Sequence, residues 1–288
     1  QPTVAARVEP AIRKLVGERK DRPELRLLLA EALIRKGDVN AAYLEVTDAD
    51  RVAAAGGTLL FQFADGLYSQ GLSEMAGSAY RKSAEAATNR DQRARAWNRA
   101  VEVAVEGERW SEAVAAYQGL AAIDPRSPVG IDAQMALADL QQSRLRNYQA
   151  ALDTYQALAP NLTGARLGRL YLQMADCYLR MNREPDAKTW LEKVKGSQAD
   201  QETQAEAAFL AAEMLFFSGD FGAAQTAYED LAQNFTRTRK TNDAVGRYLQ
   251  IVKFKDLGQQ EALKVYARME EANRMGDTTA VITTAHQL

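Results

Sequence analysis

Cysteine and histidine are almost absent from this chain. Cys177 is the only cysteine and His286 the only histidine among 288 residues, which excludes an internal disulfide and any Cys/His zinc site. Ser-His-Asp or Cys-His catalysis would have to rely on that one imidazole, in a terminal segment where order is least assured. Glycine-rich phosphate cradles of the G-x-x-x-x-G-K-S/T or G-x-G-x-x-G type are missing. Long apolar runs are missing too: nothing approaches the ~18 residues that a bilayer span needs, and residues 1–20 are too charged for a secretory signal. Neither sign of charge is in excess. The 36 Lys+Arg against 38 Asp+Glu leave a net charge of −2, unlike proteins that hold nucleic acid by releasing phosphate counterions. No catalytic, cofactor or metal site is expected, and no nucleic-acid partner.

What remains is ordinary folding material, 47% apolar and 26% charged, arranged in a repeat. The clearest copy runs Leu60, Phe63, Ala64, Leu67, Gly71, Ala76, Tyr80; others are Trp97, Ala100, Val101, Ala104, Trp110, Ala113, Tyr117 and Ala208, Ala211, Ala212, Leu215, Gly219, Phe221, Ala224, Tyr228, Leu231. One alanine marks each copy, at Ala11, Ala42, Ala76, Ala113, Ala151, Ala187, Ala224 and Ala262, with successive gaps of 31, 34, 37, 38, 36, 37 and 38 residues. Inside each copy apolar residues recur at three and four, the helical spacing, on both sides of short breaks such as Lys36-Gly37-Asp38 and Ser218-Gly219-Asp220. Each copy is therefore a predicted helix hairpin, with glycine suited to the left-handed position that ends its first helix. Small pairs such as Ala30 with Ala42, Ala64 with Ala76, Ala175 with Ala187 and Ala212 with Ala224 let the two axes come close. Tyr80, Tyr117, Tyr155, Tyr228 and Tyr266, four residues after their alanine, fill the space one turn along. A single hairpin cannot cover such a face, so hairpins must stack.

This order of apolar, small, aromatic, Gly, Ala, aromatic and Pro resembles the tetratricopeptide repeat over about residues 24–275. It departs at Arg26 and Gly246, which stand in the first apolar position, and at Leu145-Arg146-Asn147, which replaces an inter-helix glycine. The resemblance implies an all-α α-solenoid of stacked hairpins, a right-handed superhelix whose first helices line a concave face. Residues 1–22 read as the second helix of a truncated leading repeat, followed by seven repeats over 23–275 (about 24–55, 57–90, 94–126, 131–163, 168–199, 205–237 and 243–275). Residues 276–288 read as a tail or the start of a further helix, and the whole as a fragment of a larger protein. Repeat spacing of this length is similar to that of bacterial envelope members of the family, which leaves the compartment open between periplasm or envelope and cytoplasm.

On the first helices one position is acidic in six consecutive repeats: Glu31, Asp65, Glu102, Asp139, Asp176 and Glu213 each follow the small residue, or Val101 where it is replaced. Four before and three after stand mainly apolar residues, Leu27 and Ile34, Phe61 and Tyr68, Met135, Leu172 and Leu179, Phe209 and Phe216, with Asn98, Val105 and Gln142 completing the set. If both rows face the concavity, the groove suits a peptide or helix that is apolar on one side and carries Lys or Arg. The alternatives are that the carboxylates are merely solvated and that the apolar row packs first helix against first helix. A non-catalytic protein-interaction scaffold is the function the resemblance implies. A spacer or assembly domain of a larger bacterial envelope or secretion machine is the alternative. Arg90, Arg93, Arg95 and Arg99, and the joint Arg237, Arg239 and Lys240, read as solvated charges.

Overall fold

The computed structural model describes residues 4–287; Gln1–Thr3 and Leu288, which belong to the spans read as a leading helix and a tail, lie outside the described residues. Among the described residues there is no strand, and the chain is a succession of α-helices with one short 3-10 turn at Ala159–Asn161. The helices are α1 (Val4–Glu18), α2 (Pro23–Lys36), α3 (Val39–Val52), α4 (Thr58–Ser69), α5 (Ser73–Ala86), α6 (Arg90–Glu106), α7 (Trp110–Ile123) and α8 (Pro128–Ser143). They continue with α9 (Tyr148–Leu158), α10 (Gly164–Arg180), α11 (Glu184–Gly196), α12 (Gln201–Phe217), α13 (Phe221–Asn234), α14 (Arg239–Asp256), α15 (Gln260–Met275) and α16 (Thr278–Ala285). Two compact units divide between Leu145 and Arg146. Within each, consecutive helices pack on one another, as in an α-solenoid.

Helix starts and stops follow local chemistry. Asp38, Ser127, Asn147, Asp200, Asp220 and Asp277 each accept a backbone N–H three residues on, satisfying one of the donors that a helix start leaves open. The joint between first and second helix holds a left-handed residue each time: Gly37, Gly71, Glu108, Arg146, Asn182, Gly219 and Gly258. Glycine takes that conformation readily; Arg146 and Asn182 take it in joints that lack a glycine, and Glu108 takes it although Gly107 stands beside it at φ −86. A different constraint acts at Gly57 (φ 85), where an added Cβ would stand 2.2 Å from the Ser83 carbonyl oxygen. Its N–H donates to buried Asp50 (2.7 Å) and its carbonyl accepts from Ser83 Oγ (2.7 Å), which fixes the α3–α4 joint against α5.

The small residues sit at the contacts. In unit 1, Leu29, Ala30, Leu33, Ala42, Val46 and Leu60 form one buried cluster, and Ala64, Leu67, Ala76, Ala79, Tyr80, Ala100, Val103 and Ala116 the next. In unit 2, Leu172, Ala175, Leu191, Val194, Ala199 and Ala207 are followed by a larger cluster around Ala212, Phe216, Ala224 and Tyr228. Tyr80, Tyr155 and Tyr228 are fully buried as expected, whereas Tyr117 is half-buried.

The last repeat departs from the pattern. Ala262 and Tyr266 should occupy the small and large positions, yet both are only half-buried, and Leu263 and Ala267 are the buried residues. One residue is about 100° of helix rotation, so α15 presents a different face from its counterparts. The cause is its packing partner. Besides α14, α15 lies against α12, the first helix of the preceding hairpin. Ala76→Leu and Ala224→Leu should each overpack a crossing and cost about 1–3 kcal/mol, whereas Ala262→Leu should cost under about 1 kcal/mol. Urea midpoints of the three variants check this, and equal losses at positions 224 and 262 would contradict the rotated register.

Candidate protein-interaction surface

Because an alanine at each crossing turns one face of a first helix toward its own second helix, the residue after it is carried about 100° around the axis. In unit 1 that places Glu31, Asp65, Glu102 and Asp139 at exposed positions. Glu31 is bridged by Arg35 one turn on (2.5 Å) and Glu102 by Arg99 (2.5 Å); such exposed pairs contribute little to stability. Asp65 instead accepts the hydroxyl of buried Tyr80 at 2.5 Å, and that hydroxyl accepts in turn from Arg99 Nη2 at 3.3 Å. Phe61 meets Tyr80 edge to face, with centroids 5.3 Å apart, and Tyr68 lies under the Arg99 guanidinium and donates to Glu106 (2.7 Å). Phe61, Tyr68 and Met135 are all half-buried. An open groove of about 430 Å³ between α4 and α6 is lined by Thr58, Phe61, Gln62, Asn89, Gln92 and Arg95, among others.

Unit 2 treats the same positions differently. Glu213 is only 7% exposed. It accepts from the Tyr228 hydroxyl (2.5 Å) and from Arg247 Nε (2.9 Å), and Arg247 Nη2 goes on to Glu270 of α15 (3.1 Å). Asp176, half-buried, is held by Arg180 Nε at 2.9 Å and lies 3.5 Å from Arg274 Nη2. The flanking apolar residues are likewise taken up. Leu172 and Leu179 are buried, with Leu172 in the cluster that joins α10 to α11 and α12. Phe216 is fully buried, and Phe209 packs beside Tyr228 beneath Lys240. In unit 2, therefore, the apolar row packs helix on helix.

The two tyrosine–carboxylate contacts share one spacing. Tyr80 and Tyr228 stand 15 residues after Asp65 and Glu213, and Arg99 and Arg247 stand 34 after them. The carboxylate, the second-helix tyrosine and the arginine of the next first helix are thereby tied together, most deeply around Glu213. The ties move proton affinities. Burial and the Asp65 carboxylate hold the Tyr80 hydroxyl at about 12 against the usual 10. Burial, and then the Glu213 charge, push Tyr228 up further, while Glu213 and Glu270 keep Arg247 charged despite its burial. Acidic, tyrosine and arginine positions at these intervals were visible in the sequence as a joint signal. The basic residues read as solvated charges also have partners: Arg90 pairs with Asp124, Arg93 donates to the Ala87 carbonyl, and Lys240 pairs with Glu206 and Asp243.

Hairpins with an alanine crossing, a left-handed joint and a second-helix tyrosine recur through both units. They are tetratricopeptide-like. No family model matches the chain, and no curated protein matches it. Solved structures do match, at low identity. A human IFIT1 dimer with m7Gppp-AAAA is 13% identical, with 98% of this chain and 68% of that one covered at a TM-score of 0.47. Yeast Tom70 is 14% identical, with 96% and 62% covered at 0.43. Pseudomonas aeruginosa pilF is 15% identical, with 66% and 83% covered at 0.33. Among the described residues no helix is long and apolar enough to cross a membrane.

Removing one hydroxyl from each tyrosine contact separates them. Tyr80→Phe should cost about 1 kcal/mol and Tyr228→Phe about 1.5–3 kcal/mol, because the second leaves a buried carboxylate short of a donor. The folded chain keeps the Tyr80 proton up to about pH 12 whereas a free tyrosine releases it near 10. Its stabilisation is thus whole below pH 10 and lost as pH rises through 12. Urea midpoints measured from pH 9 to 12 (the span set by that window) should fall less steeply in Tyr80→Phe than in the parent, and parallel curves would contradict the assignment.

Proposed function

We propose that the chain is a non-catalytic protein-interaction scaffold and that the first-helix face of unit 1 binds a partner helix or peptide with an apolar side and Lys or Arg. The observation that supports this reading is the contrast between the two units. Carboxylates at equivalent positions are exposed at Glu31, Asp65, Glu102 and Asp139 in unit 1. In unit 2 they meet an arginine-bearing helix of the chain itself, through Arg274 beside Asp176. An amphipathic helix with a cation is thus a chemistry that such a row already accommodates. Half-buried Phe61, Tyr68 and Met135 offer apolar contact beside the unit 1 carboxylates, and the groove lined by Phe61 and Gln62 is open to a side chain. Apolar contact would supply affinity there, and the carboxylates would supply register and salt dependence. In unit 2 the corresponding Leu172, Leu179, Phe209, Glu213 and Phe216 serve packing, so the proposed surface is confined to unit 1.

A photo-crosslinker at exposed Gln62 of the full chain, followed by sequencing of the captured segment, identifies the occupant. Affinity of a synthetic peptide of that segment should fall roughly threefold to tenfold at low salt in the Glu31→Gln/Glu102→Gln variant, from two lost pairs of ~0.3–0.7 kcal/mol each. The difference should close at high salt. Affinity unmoved by the double variant at low salt would defeat the reading.

A further inference from the structure

One helix of unit 2 is held as a bound peptide would be. Along α15, Leu263, Ala267, Glu270 and Arg274 recur at i, i+4, i+7 and i+11, a single stripe. Leu263 and Ala267 are buried in the cluster that contains Ala212 and Phe216 of α12 and Ile251 of α14. Glu270 accepts from Arg247 (3.1 Å), and Arg274 lies 3.5 Å from Asp176 and 6.0 Å over the Phe217 ring. Beyond the stripe, Arg180 Nη1 donates to the Arg274 carbonyl at 3.2 Å. Gly276, left-handed at φ 73, brings the helix end so close to Arg146 that an added Cβ would lie 2.8 Å from its Nη1. In an uninterrupted stack a second helix faces its own first helix and the next hairpin; α15, besides its own α14, lies against α12 of the hairpin before and reaches α10.

The hold is thin. Leu263 and Ala267 are the only buried residues of α15 and none is buried in α16, among the described residues. Arg274 Nη2, although within ion-pair range of Asp176, makes no hydrogen bond, and a buried guanidinium nitrogen in that state opposes closure. Burial, and after it the like charge of Glu184 at the start of α11, disfavours the ionised form of Glu271, countered by Arg274.

We propose that α15 is a displaceable internal ligand of unit 2, and that the face it covers on α10, α12 and α14 is a binding surface for a partner helix with the same stripe: apolar, small, acidic, arginine. Such a partner competes with α15 for Arg247, Asp176 and the apolar cluster between them. The bound and closed states differ only in which chain supplies the helix, so the partner's advantage is set by how well it satisfies the Arg274 position and avoids the Glu271–Glu184 repulsion. The inference concerns unit 2 alone and stands whether or not the row of unit 1 binds anything.

The test is hydrogen exchange of the full chain, with an isotope-labelled synthetic peptide of residues 260–275 as the probe. Saturating peptide should make the amides of the chain's own α15 exchange at least tenfold faster while those of α2 to α5 keep their rates. Arg274→Glu should produce the same acceleration without peptide and raise peptide affinity at least tenfold, whereas Glu271→Gln should slow α15 exchange. Asp176→Ser should accelerate α15 without the gain in peptide affinity, because the partner arginine loses its acceptor. If α15 keeps its rate under saturating peptide, it is a fixed cap and the proposal fails, whatever Arg274→Glu does. It also fails if the peptide binds without accelerating α15. The peptide arm uses the unaltered protein, so it decides the matter even should a variant fold poorly.

Discussion

Two helices can cross closely only where both present a residue no larger than alanine, and in this chain that requirement sets most of the remaining architecture. Ala64 with Ala76 and Ala212 with Ala224 are fully buried, so the rotation of each first helix about its axis is settled by the crossing. The next residue is then carried about 100° around the axis, where Asp65 and Glu213 reach both the tyrosine of their own second helix and the side of the next first helix that bears Arg99 or Arg247. A carboxylate placed there has two outcomes open to it, since a charge removed from water needs a partner. In unit 1 it stays exposed, beside Arg35 at Glu31, Tyr80 at Asp65 and Arg99 at Glu102; in unit 2 Tyr228 and Arg247 enclose Glu213, and Arg180 and Arg274 flank Asp176. The contrast between an exposed row and a buried one is thus a consequence of helix rotation combined with what the neighbouring helices offer.

Much of this was legible beforehand, and the reasons are local. Hairpins announce themselves through apolar residues at helical spacing, and alanine pairs name the contacts, because close packing leaves no other residue type that fits. Joints with glycine were equally plain. Those built on Glu108, Arg146 and Asn182 could not be read the same way, since nothing in these side chains advertises a left-handed backbone. The final hairpin misled for a deeper reason. Ala262 and Tyr266 reproduce the small–aromatic pair of the other second helices, but α15 packs against α12 and buries Leu263 and Ala267 instead. A periodic pattern reports which faces a helix could bury, and the available partner decides which one it does.

The acidic row shows the same limit. Its positions followed from spacing alone, while the fate of each carboxylate depends on residues 15 and 34 places on. Where tyrosine and arginine occupy both, at Tyr228 and Arg247 after Glu213, the carboxylate becomes part of the core. Asp65 keeps its tyrosine, yet Arg99 turns to the hydroxyl and to Glu102, so Asp65 stays at the surface. Valine and leucine fill the tyrosine position after Glu31 and Asp176, at Val46 and Leu191. Asp176 then draws on Arg180 and on Arg274 from α15. One repeated position therefore has an exposed and a buried environment, sorted by neighbours within each unit.

That sorting can be read directly by carbodiimide labelling of carboxylates in the full chain under native conditions, quantified residue by residue. Glu31 and Glu102 should be modified readily and Glu213 at least about tenfold more slowly, as expected where only opening of a stable core admits the reagent. Comparable labelling of Glu213 and Glu102 would show that the row has one environment throughout, and the distinction on which the unit 1 proposal rests would be lost.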